Sequence, residues 1–225
     1  MQLVLDIKLR QNATFDDIIV GPNATLIALM QSLAKGQEQG SLFCWSECGG
    51  GVTHLLQAAC HFAQVHKRQS VFLPLKELES YSVSIFEGLE ELDFICIDDL
   101  EVILDKPQWQ EALFHAFNRI KDAGKNLVVA GHAALDNLEM LPDLKSRLAW
   151  GGVFEVLPLS DDDKVTLLQK NAQGRGFELA QDLAHYLLNH YPRDMKTQLT
   201  LLERLDHASL EYKHKITLPF IKSVL

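Results

Sequence analysis

The chain predicts an α/β fold: a five-stranded parallel sheet with helices on both faces, followed by a small all-helical domain. Three observations predict it. Short apolar runs alternate with helical patterns through the first two-thirds of the 225 residues, the order that strand–helix–strand units require. A glycine-rich turn, Ser46-Glu47-Cys48-Gly49-Gly50-Gly51, joins the first apolar run to a helical one. After Pro158 strand-like runs cease and helical periodicity takes over.

Met1–Asn12 shows no strong pattern and reads as a tail. Ala24–Lys35 has helical periodicity. The apolar run Leu42–Trp45 reads as a buried strand, and the glycine turn leads from it into a helix over Thr53–His66. Val71–Leu75 is the next strand, followed by short helical pieces at Lys76–Leu78 and Ser84–Leu89. Phe94–Ile97 is a fully apolar strand, Trp109–Ala123 a helix, Leu127–Ala130 a strand, and Val153–Leu157 the last strand. Crossovers between parallel strands are right-handed, and ligands of such sheets bind at the carboxyl ends of the strands, where the glycine turn sits. In the second part, Ser160-Asp161-Asp162-Asp163 resembles a capping box. It opens a helix over Asp161–Gly174 that Gly174 and Gly176 end. Helices then cover Ala180–His190, Asp194–Lys213 and Leu218–Val224, with Pro192 as the break between the first two of these. The expected division is a tail over 1–12, an α/β base over 13–158 and a helical lid over 159–225.

Composition narrows the function classes. A formal net charge of −9 argues against electrostatic binding to duplex DNA, which needs a basic face, so no direct sequence-specific DNA binding is expected. No apolar run approaches the roughly 20 residues that span a bilayer, and Met1–Arg10 lacks a signal-peptide core. The expected location is cytoplasmic. Cys44, Cys48, Cys60 and Cys96 all fall in or beside core elements. Cys44 and Cys48 have zinc-like spacing, but no second pair follows, so buried reduced thiols are expected.

The glycine turn has the context of a Walker A loop, in which backbone N–H groups and a helix N-terminus cradle phosphates. The pattern calls for Gly where Ser46 stands and Lys where Val52 stands. The hydroxyl that ligates magnesium is present in Thr53. The loop keeps its anion-binding backbone and lacks the cation that grips the β- and γ-phosphates. The candidate nucleotide-contacting stretch is Cys48, Gly49, Gly50, Gly51, Val52, Thr53 and His54; His54 is better suited to capping or packing than to catalysis. Downstream, Leu92-Asp93-Phe94-Ile95-Cys96-Ile97-Asp98-Asp99 is an apolar strand ending in two acids. Two such acids alone are usually a cap or turn. After a glycine loop they form a Walker B arrangement, with Asp98 near Mg²⁺ and Asp99 orienting water or the local network.

Other positions carry weaker signals. Arg147, in Leu144-Lys145-Ser146-Arg147-Leu148, lies just before the last strand, and Arg193 follows Pro192 at a lid helix start; taken alone, both read as surface charges. The strand Leu127–Ala130 ends in Gly131-His132, where a polar sensor would ordinarily be Asn, Ser or Thr, and His132 reads as a turn residue. Phe15 and Ile19 sit where such folds wall the base of a nucleotide, or pack in the core. The tail segment Gln2-Leu3-Val4-Leu5-Asp6-Ile7 has the form of a short linear peptide that anchors in a groove.

Together these segments resemble the DnaA-type AAA+ proteins, and within them the branch whose members inactivate DnaA. The resemblance rests on Ala13-Thr14-Phe15-Asp16-Asp17, Gly51-Val52-Thr53-His54-Leu55, Ile97-Asp98-Asp99-Leu100-Glu101 and Leu141-Pro142-Asp143-Leu144-Lys145-Ser146-Arg147-Leu148. It continues through Pro158-Leu159-Ser160-Asp161-Asp162-Asp163-Lys164, Arg175-Gly176-Phe177-Glu178-Leu179 and Ile216-Thr217-Leu218-Pro219-Phe220, and covers essentially the whole chain. The basic helix-turn-helix domain of full DnaA has no counterpart in it. The resemblance implies that Gly49, Gly51 and Thr53 bind a diphosphate, with Thr53 and Asp98 at any Mg²⁺. Arg193 becomes a lid sensor, and Arg147 an arginine finger presented in trans to ATP on DnaA. Gln2, Leu3, Leu5 and Ile7 match a motif that binds the sliding clamp (the beta subunit of DNA polymerase III).

Two readings from different classes follow. In the first the chain is a regulatory adaptor that carries ADP or another nucleoside diphosphate, docks on the DNA-loaded clamp, and switches initiation off by promoting hydrolysis of DnaA-bound ATP. In the second it is an autonomous ATPase that acts as a DNA-loading factor. Val52 and His132 count against the second. A pure scaffold with an empty pocket is a third alternative, and pairing of two copies through their nucleotide faces is compatible with the fold.

Overall fold

The computed structural model describes residues 13–47 and 50–225. The expected sheet is present. Its strands are β1 (Ser41–Trp45), β2 (Ser70–Pro74), β3 (Phe94–Asp98), β4 (Asn126–Gly131) and β5 (Gly152–Glu155). They run in the order β2-β3-β4-β1-β5, and every pairing is parallel. The base helices are α1 (Ala24–Lys35), α2 (Val52–Val65), α3 (Leu75–Leu78), α4 (Pro107–Asp122) and α5 (Pro142–Ala149).

The central strands are apolar because both faces are covered. All residues of β3 and β4 are buried. Phe43, Ile95, Ile97 and Val129 from the sheet pack with Leu113, Phe117 and Ile120 of α4 in one core. β5, the outer strand, alternates between half-buried and exposed positions, with Val153 facing out. Register sets the site. Phe43 pairs with Val129, which pairs with Ile97. The residues that follow, among them Ser46, Asp98, Asp99 and His132, therefore emerge at one edge of the sheet.

Several boundaries differ from the sequence expectation for physical reasons. The second strand starts at Ser70 and ends at Pro74, because Leu75 already opens α3. The helix expected over 84–89 is two 3₁₀ turns, Val83–Phe86 and Leu89–Glu91. Glu87 is extended and Gly88 left-handed (φ 77°), so no α-helical ladder can run through. The last strand ends at Glu155 rather than Leu157. Val156 still donates its N–H to the Trp45 carbonyl, but Leu157 is taken by the Asn23 side chain, which donates to its carbonyl at 3.0 Å and accepts its N–H at 2.8 Å.

Two local devices fix the sheet. Asn126 is fully buried at the start of β4. Its amide donates to the carbonyls of Leu33 (2.7 Å) and Glu38 (3.0 Å), and its oxygen accepts the Gly40 N–H (2.9 Å). One side chain thus ties the C-terminus of α1 and the approach to β1 onto β4. At the other edge, Gly151 passes so close to β1 that a Cβ there would lie 1.8 Å from the Ser41 carbonyl oxygen. No residue with a side chain fits without moving the backbone.

The described residues divide into two compact units, one of residues 13–16 with Asn23–Leu157 and one of Asp17–Pro22 with Pro158–Leu225. The second holds α6 (Asp161–Gly174), α7 (Gln181–His190), α8 (Met195–Tyr212) and α9 (Leu218–Val224). It has its own core, including Leu168, Leu187, Leu202, Leu205 and Ile221. The capping box at Ser160 is real: its hydroxyl accepts the Asp163 N–H at 3.1 Å, and the Asp163 carboxylate accepts the Ser160 N–H at 3.3 Å. Asp194 caps α8 through the Thr197 N–H at 2.8 Å, which is why that helix begins one residue later than its pattern. Buried Gln198 donates to the carbonyls of Leu187 and Pro192, closing the backbone where Pro192 interrupts.

Candidate nucleotide site

The loop between β1 and α2 is described at Ser46, Glu47, Gly50 and Gly51; Cys48 and Gly49 lie outside the described residues, as do Gln2, Leu3, Leu5 and Ile7. Gly51 caps α2 in the left-handed region, φ 86°. Val52 opens the helix and is buried, 2 % exposed, so the position that would carry the lysine contributes an apolar side chain to the core. Ser46 is also buried, and its side chain stands where a Cβ on Gly50 would meet it at 2.5 Å. The loop therefore accommodates Ser46 in place of the expected glycine because Gly50 has no side chain.

Thr53 and Asp98 come together, as the Walker pattern requires. Asp98 is buried, its Oδ1 accepts the Asp99 N–H at 2.9 Å, and its Oδ2 has no hydrogen-bond partner. Burial pushes its carboxyl up; the Thr53 hydroxyl opposes the rise and the negative charge of Asp99 adds to it. The buried Asp98 carboxylate and the Thr53 hydroxyl beside it make an all-oxygen donor pair that fits Mg²⁺. Asp99 itself sits in the left-handed region, φ 58°, a strained conformation that for a non-glycine residue costs on the order of 1 kcal/mol or more.

One element of the site was missed. His132 does lie in a bend after β4, as a turn residue would, but its ring engages the acids. Nε2 is 3.0 Å from Glu101 Oε1 and 3.5 Å from Asp99 Oδ1. Glu101 had no assigned role; it lies in a 3₁₀ turn (Leu100–Ile103) directly after Asp99, and only the β3–β4 register brings it to His132.

Phe15 makes an edge-to-face contact with Phe62 of α2, centroids 5.2 Å apart. Ile19 falls in the second compact unit, as does Arg193, which pairs with Asp161. Arg147 lies in the last turn of α5. Its guanidinium is 4.7 Å from the Trp150 ring centroid and 5.8 Å from that of Phe114, and Lys121 lies against the same Trp150 ring, 3.3 Å from its centroid. Cys44, Cys60 and Cys96 are buried free thiols, as expected, and burial raises those of Cys44 and Cys96. No helix among the described residues is long and apolar enough to cross a membrane.

Comparison with known proteins gives two family matches. Residues 9–155 match the family described as the bacterial DnaA ATPase domain. Residues 161–225 match the family described as the lid domain of Hda. Among solved structures, the chain is similar to domain III of the replication initiation protein DnaA from Thermotoga maritima, with a TM-score of 0.86 and 22 % identity over 97 % of this chain and 98 % of that one. AMPPCP-bound DnaA from Aquifex aeolicus matches with a TM-score of 0.73 and 21 % identity, over 92 % and 70 %. The RuvB Holliday junction branch migration motor of Thermotoga maritima matches with a TM-score of 0.71 and 16 % identity, over 94 % and 70 %. At these identities the structural likenesses establish the fold alone.

Proposed function

The chain belongs to the DnaA-related AAA+ family, with a DnaA-type ATPase domain followed by an Hda-type lid, and from that premise we propose that it is a negative regulator of replication initiation. In this proposal it carries ADP or another nucleoside diphosphate, docks on the DNA-loaded sliding clamp, and supplies Arg147 in trans to promote hydrolysis of ATP on DnaA. The observation that carries the reading is buried Val52. A phosphate loop that keeps Thr53 and Asp98 but buries an apolar side chain at the lysine position is suited to holding a diphosphate and poorly suited to turning over a triphosphate.

In the proposed division of labour, the loop N–H groups from Gly49 to Gly51 hold the phosphates. Thr53 and Asp98 would hold Mg²⁺, which when bound neutralises phosphate charge. Arg193 turns from Asp161 to the nucleotide as lid sensor. That exchange costs little, since both partners are more than half exposed and such surface pairs are worth about 0–1 kcal/mol. Arg147 cannot be pre-paired with its own nucleotide if it acts across an interface, and its aromatic contacts leave its charge uncancelled. A finger arginine accelerates phosphoryl transfer by roughly 10³–10⁵-fold. Gln2, Leu3, Leu5 and Ile7 are the proposed clamp anchors.

The test is phosphate release from DnaA–ATP in the presence of DNA-loaded clamp. Arg147→Ala is expected to lose stimulation by at least 100-fold while folding normally. Arg147→Lys is expected to rescue poorly, because a lysine lacks the planar fork that spans two phosphate oxygens. Full activity of the alanine variant would sink the finger assignment.

A further inference from the structure

We propose that Asp99, Glu101 and His132 form a binding site for a divalent transition-metal ion of the Zn²⁺ class, separate from the Thr53–Asp98 pair. One ligand atom from each of the three residues lies within 4.8 Å of the others. For a tetrahedral Zn²⁺ with bonds of about 2.0–2.1 Å, neighbouring ligand atoms stand about 3.3 Å apart. The separations of His132 Nε2 from Glu101 Oε1 and Asp99 Oδ1, 3.0 and 3.5 Å, bracket that spacing. The imidazole decides the class of ion, because Mg²⁺ and Ca²⁺ take oxygen donors while imidazole suits zinc and its neighbours.

Buried polar atoms supply the independent indication of a cation. Within the trio itself, Glu101 Oε2 is buried and has no partner, and neither has His132 Nδ1. Glu101 Oε2 lies 3.4 Å from where a Cβ on Gly131 would be, which keeps this carboxylate turned to the end of β4, beside His132. Buried carboxylate oxygens without donors are costly. Here two acids meet one imidazole, and the lysine that would supply positive charge in a complete loop is Val52. The ligands are half-buried rather than sealed, so an ion can enter, and three protein ligands leave a fourth position for water. The site comes from the same edge of the sheet as the proposed nucleotide pocket but does not depend on nucleotide binding.

The experiment uses the full chain freed of nucleotide and metal, titrated with Zn²⁺ by calorimetry and with Co²⁺ by visible absorption. One high-affinity Zn²⁺ per chain is expected, undiminished by excess Mg²⁺, and a Co²⁺ spectrum without sulfur charge-transfer bands. His132→Ala and Glu101→Gln should each weaken Zn²⁺ by roughly 100-fold or more. His61→Ala, which removes a histidine from α2, should leave it unchanged. Circular dichroism checks that the variants fold. The proposal is overturned by absence of high-affinity Zn²⁺, by binding that survives His132→Ala in a folded protein, or by sulfur ligation in the Co²⁺ spectrum.

Discussion

Asp98 is a carboxylate the fold holds under protest. Burial raises its pKa above the usual 3.8, so the folded state keeps its proton to higher pH than the unfolded state does. The sign follows from linkage: this group's contribution to stability is most favourable below the unfolded pKa and declines as pH rises through the folded one. Asp98→Asn removes that decline while an amide oxygen can still accept the Asp99 N–H. The nucleotide-free variant is therefore expected to melt higher than the parent at neutral pH, with the gap closing as pH falls toward 4. For a chain of this size each 1 kcal/mol reads as about 2–4 °C. Thermal melts across pH 4–8 check this, and a variant that melts lower at pH 7 counts against the argument. The same residue shows what the sequence discloses about the site. Asp98 and Thr53 were legible because each follows a recognisable local pattern, a strand end and a glycine turn. Glu101 and His132 were not, because their meeting depends on the register of β3 against β4, and a histidine after a strand has many other uses.

At the scale of elements, the strands were readable wherever burial was complete. β3 and β4 are continuous apolar runs because helices cover both faces, and Ala24–Lys35 was delimited correctly because Gly36 ends it in the left-handed region, φ 75°. Reading failed where a side chain or a backbone turn competes with the ladder: at Leu157, captured by Asn23, and around Gly88. Asn126 is the clearest case of a residue whose importance no pattern announces. Asn126→Ala is expected to destabilise the base by about 2–4 kcal/mol, since it leaves the Gly40 N–H and two carbonyls without their partner in a buried setting. Chemical denaturation measures the loss. In contrast, Ser160→Ala, which breaks an exposed capping box, should cost only about 1 kcal/mol.

For the whole molecule, charge and partner choice belong together. A chain of net charge −9 gains little from phosphate contacts, so in the proposed function it reaches DNA through a protein already loaded there. The prediction falls on the tail: replacing Gln2, Leu5 and Ile7 by Ala is expected to lower clamp affinity at least 100-fold, anchors of this kind being worth roughly 1–3 kcal/mol each when buried. The far-ultraviolet circular dichroism spectrum should be unchanged. Surface plasmon resonance against immobilised clamp decides it, and undiminished binding removes the tail from the account.

Gly151 gives the molecule a place where a heritable lesion would be selective. Any side chain there collides with the Ser41 carbonyl, so the strain falls where the edge strand β5 joins β1, just after the short helix α5 in the chain. In the proposed function, a Gly151→Ala allele would still recruit its ligands but misaim Arg147. Geneticists would then meet it as a separation-of-function allele, and under overexpression as a dominant one, because the silent product would occupy DnaA without acting on it.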